Sequence, residues 1–293
     1  MQSEVRDGQP EVREMLRINE AQREYYEHAD GAKESEVNGF ATNLWRRWRG
    51  RALSVFQYSE FEDSLSQVHL QWLNRDISTL KVLDLGVGYG NPLSMTFARQ
   101  AREYIAIDLS QPFVERFQRQ LERAGLRNAR ACVADILSDE FAEKDFDLVY
   151  ARAVFHHFRY FDAFLENLSG RMAPGGQVIT LDDPIETWLP MKLLRLAYRP
   201  FQTDASWEFP FTRSTLRSIQ RHFNVVKSQG TYDSSKWAIP LGFIAPEYAR
   251  RCARKWHQKD LQRAYSPNDV TSSLRVSFLL QKKEPATVLP RTA

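Results

Sequence analysis

From about residue 80 onward, short apolar runs alternate with stretches whose apolar residues recur every third or fourth position. Leu80, Val82, Leu83 and Leu85 form the first run, and "EYIAIDLS" (103–110) the second. "ARACVADI" (129–136), "DFDLVYARAV" (145–154) and "GGQVITLDD" (175–183) follow, then "FNVVKSQGTY" (223–232) and "SLRVSFLLQKK" (273–283). Short runs of this kind, bounded by turn residues, predict strands. Between them, Leu93, Met95, Phe97 and Ala98 predict one helix, Phe113, Phe117 and Leu121 a second, and Phe161, Phe164, Leu165 and Leu168 a third. The second carries its own punctuation, with Ser110 as a cap, Pro112 in the first turn and Gly125 as a stop. Strands alternating with helices predict a doubly wound, Rossmann-like α/β sheet.

Three segments break the alternation. Residues 10–78 read as helices, while 184–212 and about 233–270 read as lid insertions. They are too short and too interspersed to stand alone. The expected organisation is therefore a helical cap (1–78) on an elaborated core (79–293), as one structural unit. The tail "EPATVLPRTA" has two prolines and little to bury, so fraying is expected there.

Composition narrows the classes. Of 293 residues, 43% are hydrophobic and 26% charged, which suits a globular chain with a full core. Forty basic against 37 acidic residues is too even to imply a nucleic-acid partner. Cys132 and Cys252 supply no disulfide framework and no CxxC metal pattern, and read as buried apolar residues. The stretch "MQSEVRDGQPEVREML" has no apolar h-region, and no run approaches the ~18 residues that span a bilayer. The default expectation is a cytoplasmic location.

The first strand runs into "VLDLGVGYGN" (82–91), with Asp84 ahead of Gly86, Gly88 and Gly90. Glycines there admit positive φ and leave the backbone open to a ligand at the start of a helix. A dinucleotide fold would instead show GxGxxG, although Asp108 fits its acidic ribose ligand. A carboxylate in the position of Asp84 would repel a pyrophosphate and favour an ammonium group, directly or through water. The site asks for a nucleoside with a cationic amino-acid end, a description that S-adenosylmethionine meets.

With these residues in view, positions 80–182 resemble the class I S-adenosylmethionine-dependent methyltransferases, motif by motif and in order. "VLDLGVGYG" resembles their glycine-rich first motif, "IAIDLS" the second and "VADI" the third; "FDLVYARAVFHHF" and "MAPGGQVI" resemble those of the fourth and fifth strands. The resemblance implies a seven-stranded sheet with an antiparallel last strand and S-adenosyl-L-methionine as cofactor. It implies that Asp108, with Leu109 adjoining, holds the ribose hydroxyls, and that Asp135, with the Ile136 backbone nearby, takes the adenine amino group. Arg152 would meet the cofactor carboxylate or else a neighbouring acidic side chain. Tyr26, or Tyr25, would cover the sulfonium from an N-terminal helix, with ordinary packing as the competing role. No NPPY-like tetrapeptide follows the fourth strand and no Pro-Cys pair occurs, which argues against amino methyltransferases acting on DNA and excludes cysteine-dependent cytosine enzymes.

Methyl transfer needs an aligned nucleophile and, for a hydroxyl, a base. His156 and His157 close the fourth strand, while Asp182 and Asp183 close the fifth. By similarity to small-molecule and sugar O-methyltransferases, His156 is the expected base, His157 the second choice, and Asp182 the orienting carboxylate; a helix-capping or packing role competes. No third ligand accompanies them at metal-binding spacing. In "NLWRRWRGRALSVF" (43–56) aromatic and basic residues interleave, which reads as an amphipathic cap helix ahead of a nucleic-acid or membrane surface. Trp188, Leu189, Met191, Leu193, Leu194, Tyr198, Phe201, Trp207 and Phe209 make 184–211 the expected wall of an acceptor pocket, helped by Trp237, Ile239, Leu241 and Phe243. The expectation is O-methylation of a bulky, largely apolar small molecule. Carbon or nitrogen methylation is the near alternative, a cofactor-binding scaffold without methyl transfer the one from another class, and a nicotinamide oxidoreductase the third.

Overall fold

The computed structural model describes residues 9–28, 43–44, 47–48, 50–51, 54–57, 60–201 and 206–284. The seven strands are β1 (Lys81–Leu85), β2 (Glu103–Asp108), β3 (Ala129–Val133), β4 (Phe146–Arg152), β5 (Met172–Pro184), β6 (Phe223–Thr231) and β7 (Arg275–Lys282). They form one sheet in the order β3-β2-β1-β4-β5-β7-β6. Neighbours from β3 to β5 pair in parallel, and only β7 runs antiparallel, between β5 and β6. The inner strands are buried on both faces, which is why they read as continuous apolar runs rather than alternating ones.

Helices cover both faces. On one lie α1 (Pro10–His28), α5 (Phe161–Arg171) and α7 (Arg213–His222), packed through Val12, Met15, Phe164, Leu168, Leu216 and Ile219. On the other lie α3 (Pro92–Gln100) and α4 (Gln111–Arg123), through Phe97, Ala98, Phe117 and Leu121. A satellite cluster joins α2 (Glu60–Leu70) to α8 (Ala238–Gly242) and α9 (Pro246–Gln262) through Val55, Leu65, Ala238, Ala249 and Ala253. The remaining helix, α6 (Leu189–Tyr198), belongs to the insertion after β5.

Local chemistry sets the helix starts. Asn91 opens α3 by accepting from the amides of Leu93 (2.9 Å) and Ser94 (3.1 Å), with Pro92 in the first turn. Ser110 occupies the corresponding position of α4, but its hydroxyl makes no cap and has no partner among the described residues. Its amide donates to Asp108 Oδ1 instead, at 3.0 Å.

Beyond β5 the sheet becomes irregular. Thr180 pairs with Phe278 and Asp183 with Val276, so β5 has one extra residue at this point. Asp182 adopts φ +63° within this bulge. A bulge reverses the alternation of side chains between faces. Cys132 and Cys252 are half-buried, not fully buried as expected. Of the 43–56 stretch, Trp45, Arg46, Arg49 and Ala52 lie outside the described residues, as do 285–293 of the tail. Trp48 is exposed against Phe243, and Val55 is buried.

Candidate active site

The strand order reverses between β1 and β4, and a doubly wound sheet opens a crevice at that point, beyond the carboxyl ends of its strands. A cavity of about 210 Å³ lies there. The β1 turn contributes Gly86 and Gly88, β2 Asp108 and Leu109, and β3 is followed by Asp135 and Ile136. Arg152, Val154, His157 and Phe158 come from β4 and the turn after it, and Tyr26 from α1. Asn19 and Gln22 of α1 and Phe113 of α4 line it as well, unforeseen from the sequence. Only the contact between α1 and the third strand end reveals them: Asn19 Nδ2 donates to Asp135 Oδ2 at 2.8 Å across 116 residues of chain.

The three glycines have different surroundings. A Cβ on Gly90 would meet the Phe117 ring at 2.3 Å, and one on Gly86 would meet Val154 at 2.5 Å. At Gly88 (φ +53°) a Cβ would meet nothing within 4 Å. Gly86 and Gly90 therefore serve close packing, while Gly88 faces open cavity. Its amide donates to Asp108 Oδ2 at 2.8 Å. The amides of Gly88 and Ser110 each hold one oxygen of this carboxylate, and the Leu109 amide also bonds to it. Burial pushes both Asp108 and Asp135 upward; backbone amides oppose this at Asp108, and Asn19 does so at Asp135. The cavity thus has the Asp108 and Asp135 carboxylates and the apolar side chains of Phe113 and Ile136 in one lining.

Asp84 does not line this cavity. It is almost fully buried on the helix side of β1, where Tyr104 donates its phenol to Oδ2 at 2.5 Å. Burial pushes its carboxyl up to about 7. Gly90 likewise lies outside the lining. Tyr26 sits with its ring 5.8 Å from Phe113, and Tyr25 turns instead to Trp207, 5.1 Å away.

The histidine pair divides its contacts. His156 is buried, and both its amide and Nδ1 donate to Asp183 Oδ1, at 3.1 and 2.9 Å. Thr180 donates to the other oxygen of Asp183. The carboxylate on His156 is therefore Asp183 and not Asp182, because the bulge turns Asp183 to the face of Thr180. Asp182 accepts from Arg275 Nη1 at 3.0 Å, on the other side of the strand end. His157 lines the cavity, and its Nδ1 lies 3.0 Å from the Trp207 carbonyl. A carbonyl only accepts, so Nδ1 carries the proton and Nε2 the lone pair. Burial and the adjacent His156 lower its pKa to about 4, leaving the ring neutral.

The 184–211 insertion reaches this pair through its backbone: the Phe209 amide donates to the His156 carbonyl at 2.7 Å. Its apolar helix is divided: Leu189 and Leu193 of α6 are exposed, while Met191 lines a second cavity together with Ile239. Behind Arg152, a void of about 10 Å³, room for one water, is lined by Asp182, Tyr150 and His69 of α2. His69 is 3% exposed with neither ring nitrogen paired among the described residues, and burial lowers its pKa to about 3. An isolated histidine in an amphipathic stretch gave no sequence signal for this.

Residues 82–176 match the family model described as a methyltransferase domain. An uncharacterised protein of Haemophilus influenzae is 26% identical over 148 residues, covering 49% of this chain and 56% of its own length. A 23S rRNA (uracil(1939)-C(5))-methyltransferase of Aeromonas salmonicida is 38% identical over 84 residues, 27% of this chain and 19% of that protein. The chain thus spans little more than half of one curated relative and a fifth of the other. Among solved structures, a geranyl diphosphate C-methyltransferase from Streptomyces coelicolor A3(2), in complex with Mg2+, geranyl diphosphate and S-adenosyl-L-homocysteine, superposes with a TM-score of 0.54 at 10% identity, over 91% of this chain and 98% of that one. Residues 82–176, from the glycine turn to the start of β5, thus match a methyltransferase domain, and the sheet around them has the fold of a solved methyltransferase.

Proposed function

We propose that the chain methylates a hydroxyl of a bulky, largely apolar small molecule, with His157 rather than His156 receiving the proton. When bound, S-adenosylmethionine supplies an activated methyl on a sulfonium together with its leaving group. Asp108 holds the ribose hydroxyls, Asp135 and the Ile136 backbone the adenine, and Arg152 the carboxylate end. Tyr26 closes the crevice from α1. The observation that carries the reading is the fixed tautomer of His157: Nδ1 is held by the Trp207 carbonyl, which leaves a basic Nε2 on a ring lining the cavity. His156 is buried with its amide and Nδ1 on Asp183, is not among the residues lining the cavity, and acts by holding the turn.

A ring with a pKa near 4 is a weak base. It suits an acceptor whose proton leaves readily, such as a phenol or enol, better than an aliphatic alcohol. The apolar body of the acceptor has a place in a second cavity, of about 200 Å³, between α6 and the ends of β5 and β7. Met191, Ile239 and Leu274 line it, with Arg275 at its polar side.

The test is transfer of labelled methyl from S-adenosylmethionine into a small-molecule extract, by the wild type and by His157→Ala. Turnover should fall by about 10²–10⁴ in the variant while cofactor affinity stays unchanged. Near-normal turnover would remove the base and point to an amine or acidic carbon, methylated by proximity alone. Label appearing in RNA instead would overturn the acceptor class.

A further inference from the structure

The helix α6 is built inside out. Leu189, Leu193 and Leu196 are 64%, 59% and 71% exposed, and their spacing places them on one stripe. Its inward side has Arg195, which pairs with Glu208 at 3.0 Å. A free helix in water would turn the other way, because exposed leucines forfeit the burial that normally orients it. The apolar stripe does not stop at the helix. Trp188, at its start, meets Trp237 edge to face at 5.7 Å. Trp237 opens α8, and beyond that helix come Ile244, 84% exposed, and Tyr248 in the first turn of α9, also exposed. Three exposed leucines, an exposed isoleucine and an exposed tyrosine therefore stand on elements joined through the Trp188–Trp237 contact.

The charge on α6 and α9 is mainly positive, with Arg250 of α9 paired to Glu247. Lys192 is exposed on α6, which has no acidic residue. Along α9 there are five basic residues, Arg250, Arg251, Arg254, Lys255 and Lys259, all exposed, against Glu247 and a buried Asp260. The whole chain has a formal charge of only +3, so the concentration is local. A second copy of the chain seated on this face would set basic residues against basic residues. Leucines flanked by tryptophan, tyrosine and cations match the boundary between headgroups and acyl chains.

We infer that this face docks on an anionic lipid surface, with the α6 leucines and Ile244 entering the acyl boundary and the α9 cations on the headgroup phosphates. No helix among the described residues is long and apolar enough to cross a membrane, so the contact is one of lying on the bilayer. The cavity beneath α6, with Met191 and Ile239 in its wall, lies on the same inward side of that helix as Arg195. The docking is independent of the methyl transfer proposed above, and its test reads lipid binding alone.

The experiment is co-sedimentation of the full chain with vesicles of phosphatidylcholine, with and without phosphatidylglycerol. Binding should require the anionic lipid and weaken with added salt. The double variant Leu193→Glu, Leu196→Glu should lose at least about tenfold in partitioning, and Arg250→Glu or Arg254→Glu about fivefold or more each. All these positions are exposed, so circular dichroism and S-adenosylmethionine binding should stay at wild-type levels. Equal partitioning of wild type and the leucine variant, or no dependence on phosphatidylglycerol, would overturn the proposal. So would a dimer in light scattering that Leu193→Glu dissociates while no protein pellets with vesicles, since that result would give the face to a second copy.

Discussion

From β3 through β2 and β1 to β4, the strands are parallel and pair without a register shift. From β4 onward every pairing contains one, at Phe146/Leu148, at Thr180/Asp183 and at Val225/Lys227. In the first half, counting residues along a strand tells which side chain reaches the crevice. In the second half, each irregularity reverses the count, and the neighbour of the expected residue arrives in its place. Under the proposed function, cofactor chemistry sits on the regular half and acceptor chemistry on the irregular one, where φ is positive at Ala153 and Asp182. Strain of that kind gathers where side chains must be aimed against the local pattern.

The adjacent pair Asp182 and Asp183 gives the sharpest way to break this contrast. Asp183 is fully buried and accepts from His156 twice and from Thr180, so Asp183→Asn should cost about 2–4 kcal/mol in urea unfolding, by placing an amide donor against those donors. Asp182 is partly exposed, and Asp182→Asn should cost less than about 1 kcal/mol. Equal costs would remove the bulge from the account.

How much could be read from the chain follows the same divide. The seven strands and the helices between them were legible because each carries its own period and its own punctuation, as at Pro112 and Gly125. Asp108, Asp135 and the glycine turn were legible because a strand end fixes their direction. The Asp183–His156 pairing was not, because the bulge that sets it depends on β7, almost a hundred residues further on. Asn19 and Gln22 were hidden for a similar reason: nothing local ties α1 to the end of β3. That Leu189 and Leu193 face outward rather than into a pocket was not legible, since periodicity reveals a stripe but not which way it faces.

Buried histidines sharpen the comparison through pH. His69, His157 and His257 are held at about 3, 4 and 4, mainly by burial, below the ordinary 6.5. The unfolded chain therefore binds more protons than the folded one between those values, so stability is full above pH 6.5 and falls as the pH drops toward 4. Each imidazole should contribute about 1–2 kcal/mol of loss near pH 5. His69→Leu should flatten the acid limb of a thermal unfolding series. An unchanged limb would mean that His69 is already protonated and paired in the fold.

The smallest expected effect is at the edge of the regular half. Asn19→Ala removes the bond that ties α1 to Asp135, and should weaken cofactor binding by about 0.5–1.5 kcal/mol without altering the sheet. Retained affinity would separate α1 from the nucleoside site.

The division of labour is tested most directly by calorimetric titration of S-adenosylmethionine into the wild type, Asp108→Ala and His157→Ala. Loss of the ribose contacts at Asp108 should weaken binding by about 1.5–3 kcal/mol or more, roughly tenfold to more than a hundredfold, while His157→Ala binds as the wild type does. Unchanged affinity in Asp108→Ala, or equal losses in both variants, would contradict the assignment of the regular half to the cofactor and the irregular half to the acceptor.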